Sequence, residues 1–207
     1  MVMYLASTGS SLDAFDAGPD IGQMTQPPRS GVKASIREGR WWGCDCDVFG
    51  PRGVELERSL DLLESLRDHS AICLLITVPD HPGDGVATFE QFDDDLMALI
   101  GFGFPLAYVL QDGCETLPIP EGASAVFLGG TDPWREQWAA TLLTRAKRAG
   151  LHRHVGRVNG ARRSRALGPL NAQSVDGTYF QFAEATKKSV RRVNGWMQGA
   201  VPLLTLE

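Results

Sequence analysis

The fold this sequence predicts is a compact (β/α)8 barrel of the α/β class, and two observations carry that expectation. Short, apolar, β-rich runs alternate with amphipathic stretches along the chain, the pattern of βα units laid on a parallel sheet. Neither a GxGxxG turn nor a Walker motif follows an early run, as an open doubly wound sheet would want. Length sets the scale: 207 residues suit one domain spanning 1–207 around one core. Full barrels usually take about 250 residues, so short or missing helices are expected.

The elements follow in order. "MYLAS" (3–7) reads as the first strand. Residues 8–40, rich in Gly, Ser and Pro around "GQMTQPPRSG", read as a long loop over one end of the barrel. "WWGCDCDVF" (41–49) is the next strand, and in 54–68 the residues Leu56, Leu60, Leu63 and Leu66 share one helical face. "AICLLITV" (71–78) is a buried strand. A helix over 89–101 is expected to be capped by Thr88, with Glu90 and Gln91 close behind. Strands "PLAYVL" (105–110) and "SAVFLG" (124–129) come next. The helix 134–149 is started by Asp132 and Pro133 and stopped by Gly150. "HRHVGRV" (152–158) and "QSVDG" (173–177) supply the last strands.

Composition narrows the class. The apolar share of 43% and the charged share of 22% are those of a globular chain. No apolar run is long enough to span a bilayer, and "MVMYLASTGS" lacks the plan of a signal peptide. Four scattered cysteines make no disulfide framework, so a cytoplasmic location with no membrane partner is expected. The formal charge of −5 hides a segregation. Residues 1–144 carry 8 Lys/Arg against 22 Asp/Glu, while 145–195 carry 12 Lys/Arg opposed only by Asp176 and Glu184. That basic stretch is either a surface for phosphates or a solvated face balancing the acidic remainder.

In a parallel α/β protein the chemistry gathers at the carboxyl ends of the strands. Those ends carry Asp45, Asp80 with Asp84 beyond it, Gln111 with Asp112, Gly129 with Gly130, Arg157 with Asn159, and Asp176. Asp and Gly also end strands merely because they make turns. Several carboxylates on one rim suit acid/base or nucleophilic carboxylate work, as at a glycosidic carbon. An amide and a glycine pair suit the edge and face of a flat ligand. Cys44 and Cys46 lack nearby His or Cys partners, and His152 and His154 lie far along the chain, so no metal and no other cofactor is expected. Strand alternation puts the two thiols on one face and Asp45 and Asp47 on the other.

The ordered set "WGCDCDVFG", "VPDHPGD", "AYVLQDG", "VFLGGT", "HVGRVNGARR" and "SVDGTYF" resembles the short, phage-type members of the tRNA-guanine transglycosylase superfamily. These are the DpdA-like enzymes that place 7-deazaguanines in DNA, and their fold is a (β/α)8 barrel. The resemblance implies that Asp176 attacks the sugar carbon and expels guanine, leaving a covalent glycosyl-enzyme. It implies that Asp45 handles the proton on the departing and arriving bases. Asp80, Gln111 and the backbone of Gly129 and Gly130 would then grip the base. Two carboxylates on separate strands can hold different pKa values and so divide such roles.

The chain departs from that pattern where Asp45 is followed by Cys46, Asp47 and Val48 rather than glycine, so Asp47 competes for the acid/base role. The Cys-rich zinc module of the tRNA enzymes is also absent before the last residue, Glu207. DNA is therefore expected as the partner ahead of tRNA, with free 7-deazaguanine (the 7-cyano form or a relative) as the second substrate. Arg157, Arg162, Arg163 and Arg165 would hold the nucleic-acid backbone, in the cytoplasm of a bacterial host if phage-encoded. Three other readings stand beside this one: exchange into tRNA, a non-catalytic barrel that binds nucleobases or nucleic acid, and metal-dependent hydrolysis using His152 and His154.

Overall fold

The computed structural model describes residues 2–9, 11–27, 32–45, 56–182 and 186–198. Eight parallel strands close into a barrel in sequence order. They are β1 (Met3–Ala6), β2 (Ile21–Thr25), β3 (Trp42–Cys44), β4 (Cys73–Thr77), β5 (Leu106–Leu110), β6 (Ala125–Leu128), β7 (His152–Val155) and β8 (Ser174–Gly177). Closure is made by β8 against β1, with Met3 opposite Ser174 and Leu5 opposite Asp176. The expected compact (β/α)8 barrel is the fold observed.

The helices are uneven, as the short chain requires. Those described are α1 (Ala34–Arg37), α2 (Leu56–Leu66), α3 (Gly85–Leu99), α4 (Asp132–Arg148), α5 (Ala161–Arg165), α6 (Leu167–Leu170), α7 (Tyr179–Phe182) and α8 (Lys187–Gln198). Four of them are single turns of four or five residues, which is how eight βα units fit the length. Pro133 sits in the first turn of α4, and Gly150 leaves its end at φ +75°. There the amides of Gly150 and Leu151 donate back to the carbonyls of Lys147 and Ala146, a glycine-terminated helix end.

Three boundaries differ from expectation. The 8–40 stretch is not one loop: Ile21–Thr25 forms β2, buried throughout. Its Gly and Gln lower strand propensity, and the pattern shows neither alternation nor an apolar run. The strand forms because both its neighbours pair with it, Leu5 opposite Gly22 and Gln23 opposite Trp42. Helix α3 starts four residues earlier than expected, at Gly85, because Asp84 is its cap and accepts from the amide of Ala87 at 3.0 Å. Thr88 lies inside the helix, its hydroxyl donating to the carbonyl of Asp84 at 2.7 Å. Strand β3 is only three residues long, and Cys46 and Asp47 lie outside the described residues.

Alternation along the strands sorts side chains into two cores. Leu5, Met24, Leu75, Val109 and Phe127 fill the barrel interior. Tyr4, Trp42, Tyr108, Leu128 and Val175 belong to the outer core against the helices. Tyr108 there meets Phe92 of α3 edge to face, ring centres 5.4 Å apart. Gly22 is where the wall is tightest: a Cβ would lie 2.2 Å from the carbonyl oxygen of Trp41 and 2.9 Å from Leu5. Gly22→Ala is therefore expected to destabilise the protein by about 1–3 kcal/mol in urea unfolding, and an unchanged midpoint would contradict the β1–β2–β3 pairing.

Candidate active site

The interior parity of β8 points Ser174 and Asp176 into the barrel, since Val175 between them belongs to the outer core. Asp176 lies at the carboxyl end of its strand with its side chain 14% exposed. Its Oδ1 accepts from the backbone amide of Arg157 at 3.1 Å and lies 3.3 Å from Nε2 of His154. Oδ2 has no hydrogen-bond partner among the described residues. Arg157 has φ +61°, an uncommon conformation away from glycine, and this turn aims its amide at the carboxylate. Glycines flank the site because nothing larger fits. A Cβ on Gly156 would meet Phe127 at 2.7 Å, and one on Gly177 would meet Oδ1 of Asn159 at 2.4 Å.

A second cluster stands across the mouth, after β4, β5 and β6. The Gln111 amide donates from Nε2 to Oδ2 of Asp80 at 2.5 Å. Its Oε1 accepts from the amides of Gly130 at 2.8 Å and Gly83 at 3.1 Å. This network settles which way the amide points. Asp80 and Gln111 are both buried. Gly129 must be glycine because a Cβ would lie 2.9 Å from the Gln111 amide nitrogen. Gly130, at φ +68°, would drive a Cβ into Trp134 at 2.4 Å. Asp112 is a strut: it accepts from the amide and hydroxyl of Thr131 at 2.7 and 2.6 Å, tying the β5 loop to the β6 loop.

The two clusters are joined. The Arg157 guanidinium donates to the carbonyl of Gly130, so one residue holds Asp176 with its amide and the glycine pair with its side chain. Arg163 donates to the Arg157 carbonyl at 2.9 Å and pairs with Asp132. Arg135 donates to the carbonyl of Gly156 at 2.7 Å. Burial, with Arg157 and Arg163 nearby, pushes its guanidinium down to about 10, which leaves it charged at neutral pH. Of the four arginines expected on a nucleic acid, Arg157 and Arg163 thus brace the rim. Arg162 and Arg165 are exposed on α5.

Asp45 is half-buried on the same rim, three strands around the barrel from Asp176, and its amide continues the ladder to the carbonyl of Thr25 at 3.0 Å. It follows Gly43 in parity, and Gly43 lies against Leu5 and Leu75 of the inner core. Cys44 turns the other way into the outer core, where burial and then Asp45 push its thiol pKa well up. Asp84, as the cap of α3, belongs to the scaffold. No group of three or more metal-ligating side chains occurs among the described residues. No helix among them is long and apolar enough to cross a membrane. A groove of about 510 Å³ lies behind β6 and β7, between α4 and α5–α6. It is lined by Arg135, Arg162 and Arg163 among others.

His154, which the sequence offers only as a metal ligand, is a partner of Asp176 in the structure. The signal was present: His-x-His on β7 and Ser-x-Asp on β8 are two period-2 polar patterns on strands that pair in register, His154 opposite Ser174.

No family model matches this chain, and no curated protein sequence does. Solved structures with a similar fold include the 3-hexulose-6-phosphate synthase of Salmonella typhimurium, 12% identical over 97% of this chain and 100% of that one, with a TM-score of 0.54. A 4-hydroxy-2-oxoglutarate aldolase is 14% identical over 95% of this chain and 93% of that one, TM-score 0.55. A flavocytochrome b2 variant is 15% identical over 96% of this chain and 63% of that one, TM-score 0.60. At such identities the likeness shows the barrel fold, shared with synthase, aldolase and flavocytochrome enzymes.

These findings overturn the resemblance to the tRNA-guanine transglycosylase superfamily: no family model supports it, and the similar barrels include aldolases and a synthase rather than a transglycosylase. The physical reason lies in the motifs. Each is a few residues long, and Asp, Gln and Gly recur at the strand ends of parallel barrels because they both end strands and line ligands. Their order along the chain is simply the order of the strands.

His152 gives the polar interior a measurable signature. Burial, then His154 and Arg153, lower its pKa from 6.5 to about 4. Below pH 6.5 the unfolded chain takes up a proton that the folded protein refuses until about pH 4, so this contribution to stability is lost as pH falls through that window. Between pH 7 and pH 4 the wild-type protein is expected to lose about 3 kcal/mol more unfolding free energy than His152→Gln. Denaturant titrations at the two pH values check this, and parallel losses would contradict it.

Proposed function

We propose that this protein is a carboxylate-dependent glycosyl-transferring enzyme that acts on a nucleobase at the barrel mouth, with Asp176 as the nucleophile. The observation that carries the reading is the state of Asp176: Oδ1 is held by the Arg157 amide and His154, while Oδ2 is left without a partner among the described residues. A carboxylate so held presents one oxygen to an electrophilic carbon. The Asp80–Gln111–Gly130 cluster supports a flat, amide-like ligand, since a carboxylate accepts from ring N–H groups and an amide N–H serves a carbonyl. An aldol step through a Schiff base would need a lysine amine, and none of the eight strands carries a lysine.

Oδ2 of Asp176 bonds to the anomeric carbon as the carbon–nitrogen bond breaks, and the electron pair leaves on the base nitrogen, which takes a proton from Asp45. The incoming base gives its proton to Asp45, its nitrogen bonds to the same carbon, and the ester bond to Asp176 breaks, restoring the carboxylate. The specific form we propose is replacement of guanine in DNA by a 7-deazaguanine. It requires the target nucleotide to leave the duplex, with exposed arginines such as Arg162 and Arg165 on the backbone.

The test incubates the protein with guanine-containing DNA or tRNA and labelled 7-deazaguanine. Uptake into DNA is expected, falling by a factor on the order of 10⁴ in Asp176→Asn and by about 10²–10⁴ in Asp45→Asn. Undiminished uptake in Asp176→Asn would remove the nucleophile. Uptake into tRNA alone would change the partner. Tight binding of the base with no exchange on either polymer would make the barrel a binding protein.

A further inference from the structure

The interior of the barrel is largely apolar, with Thr77 of β4 beside Ala107, and its titratable groups gather along one seam, where β7 and β8 contribute two histidines and a serine below Asp176. His154 and Ser174 are fully buried, and Phe127 stacks on the His154 ring with centres 4.6 Å apart. Ser174 Oγ lies 2.7 Å from Nε2 of His152 and 2.8 Å from Nδ1 of His154. Nε2 of His154 lies 3.3 Å from Oδ1 of Asp176. Buried polar groups of this kind are costly unless every one is satisfied, and proton counting shows how they are.

A carboxylate oxygen only accepts, so Nε2 of His154 carries a proton and donates to Asp176. With a single proton on the ring, Nδ1 is bare and accepts the one proton of the Ser174 hydroxyl. The hydroxyl oxygen, having given its proton to His154, accepts from Nε2–H of His152. Every hydrogen bond in the chain is made by one directional arrangement, His152 to Ser174 to His154 to Asp176. It needs His152 neutral, which agrees with burial lowering its pKa to about 4.

We propose that His154 is a positioning residue for Asp176, its ring fixed as the Nε2–H tautomer by Ser174 and His152. It holds Oδ1 from inside the barrel while the Arg157 amide holds it from the rim, and Oδ2 is thereby turned to the mouth. The part of this inference that concerns turnover rests on the nucleophile reading of Asp176; the proton arrangement does not.

Two measurements on the full chain keep those parts separate. Nitrogen NMR of histidine-labelled protein without substrate reads the tautomers directly. The expected result is Nε2–H on both His152 and His154, with Ser174→Ala releasing His154 into a mixture of tautomers and Ser174→Thr, which keeps the hydroxyl, preserving one. An Nδ1-protonated or doubly protonated His154 in the wild-type protein would overturn the chain, as would an unchanged tautomer in Ser174→Ala. In the base-exchange assay, Ser174→Ala and His154→Leu are expected to lower kcat by about 10²-fold with KM little changed. His154→Gln, which keeps an N–H donor, recovers part of the loss. Equal activity in wild type and His154→Leu would overturn the positioning role. If the wild-type protein exchanges no base at all, the function proposed above fails, and the NMR result still decides the proton arrangement.

Discussion

The pairing of β8 with β1 is the constraint on which the rest of the site depends. Strand β8 is four residues long and is held on both sides, by β7 at Ser174 and Val175 and by β1 along its whole length. Without closure it would be an edge strand with half its backbone groups unpaired, and such edges slip in register. A slip of one residue would carry Ser174 and Asp176 from the interior to the outer core and bring Val175 inward. Closure therefore does more than bury surface: it fixes which face of β8 sees the mouth.

That constraint also explains the uneven lining of the interior. Strands β1, β2, β4, β5 and β6 fill it with Leu, Met, Ala, Val and Phe, with Thr77 beside Ala107, packed as a solid core. The β7–β8 seam replaces this packing with a hydrogen-bonded column ending at Asp176, stabilised by mutual satisfaction and by the Phe127 ring stacked on His154. A column of this kind contributes less to stability than an apolar one of equal volume, and it becomes a liability when a member is protonated. Its presence at one seam, directly beneath a rim carboxylate with one oxygen unpartnered among the described residues, is the physical argument for placing the proposed chemistry there. The glycines at 129, 130, 156 and 177 follow from the same geometry, since each leaves room for a neighbouring side chain that shapes the mouth.

Much of the fold was legible in the sequence and part was not, for identifiable reasons. Apolar runs such as 106–110 and 125–128 are buried on both faces, so they announce themselves in composition alone. Strand β2 is hidden because Gly22 and Gln23 are there for backbone clearance and loop hydrogen bonds, as the Gln23 amide shows by donating to the carbonyls of Ala6 and Thr8. Asp84 and Thr88 both suit a helix start; Asp84 takes the cap by accepting from the Ala87 amide, while the Thr88 hydroxyl turns back to the Asp84 carbonyl. At the rim, Asp176, Asp80, Gln111 and the glycine pair stand at strand ends and are legible as such, whereas His154 joins Asp176 through cross-strand register, which a sequence does not display. The same rim residues also supported a family resemblance that did not hold, because strand-end chemistry is shared by barrels of many activities.

As the proposed nucleophile, Asp176 becomes covalently bonded to the sugar during turnover. The most direct measurement is an acid quench of the protein with a guanine-containing oligonucleotide in the absence of any incoming base, followed by peptide mass mapping. One adduct is expected, on the peptide containing Asp176, and it disappears when free base is added before the quench. An adduct on another residue, or turnover with none on Asp176 at any time point, would contradict it.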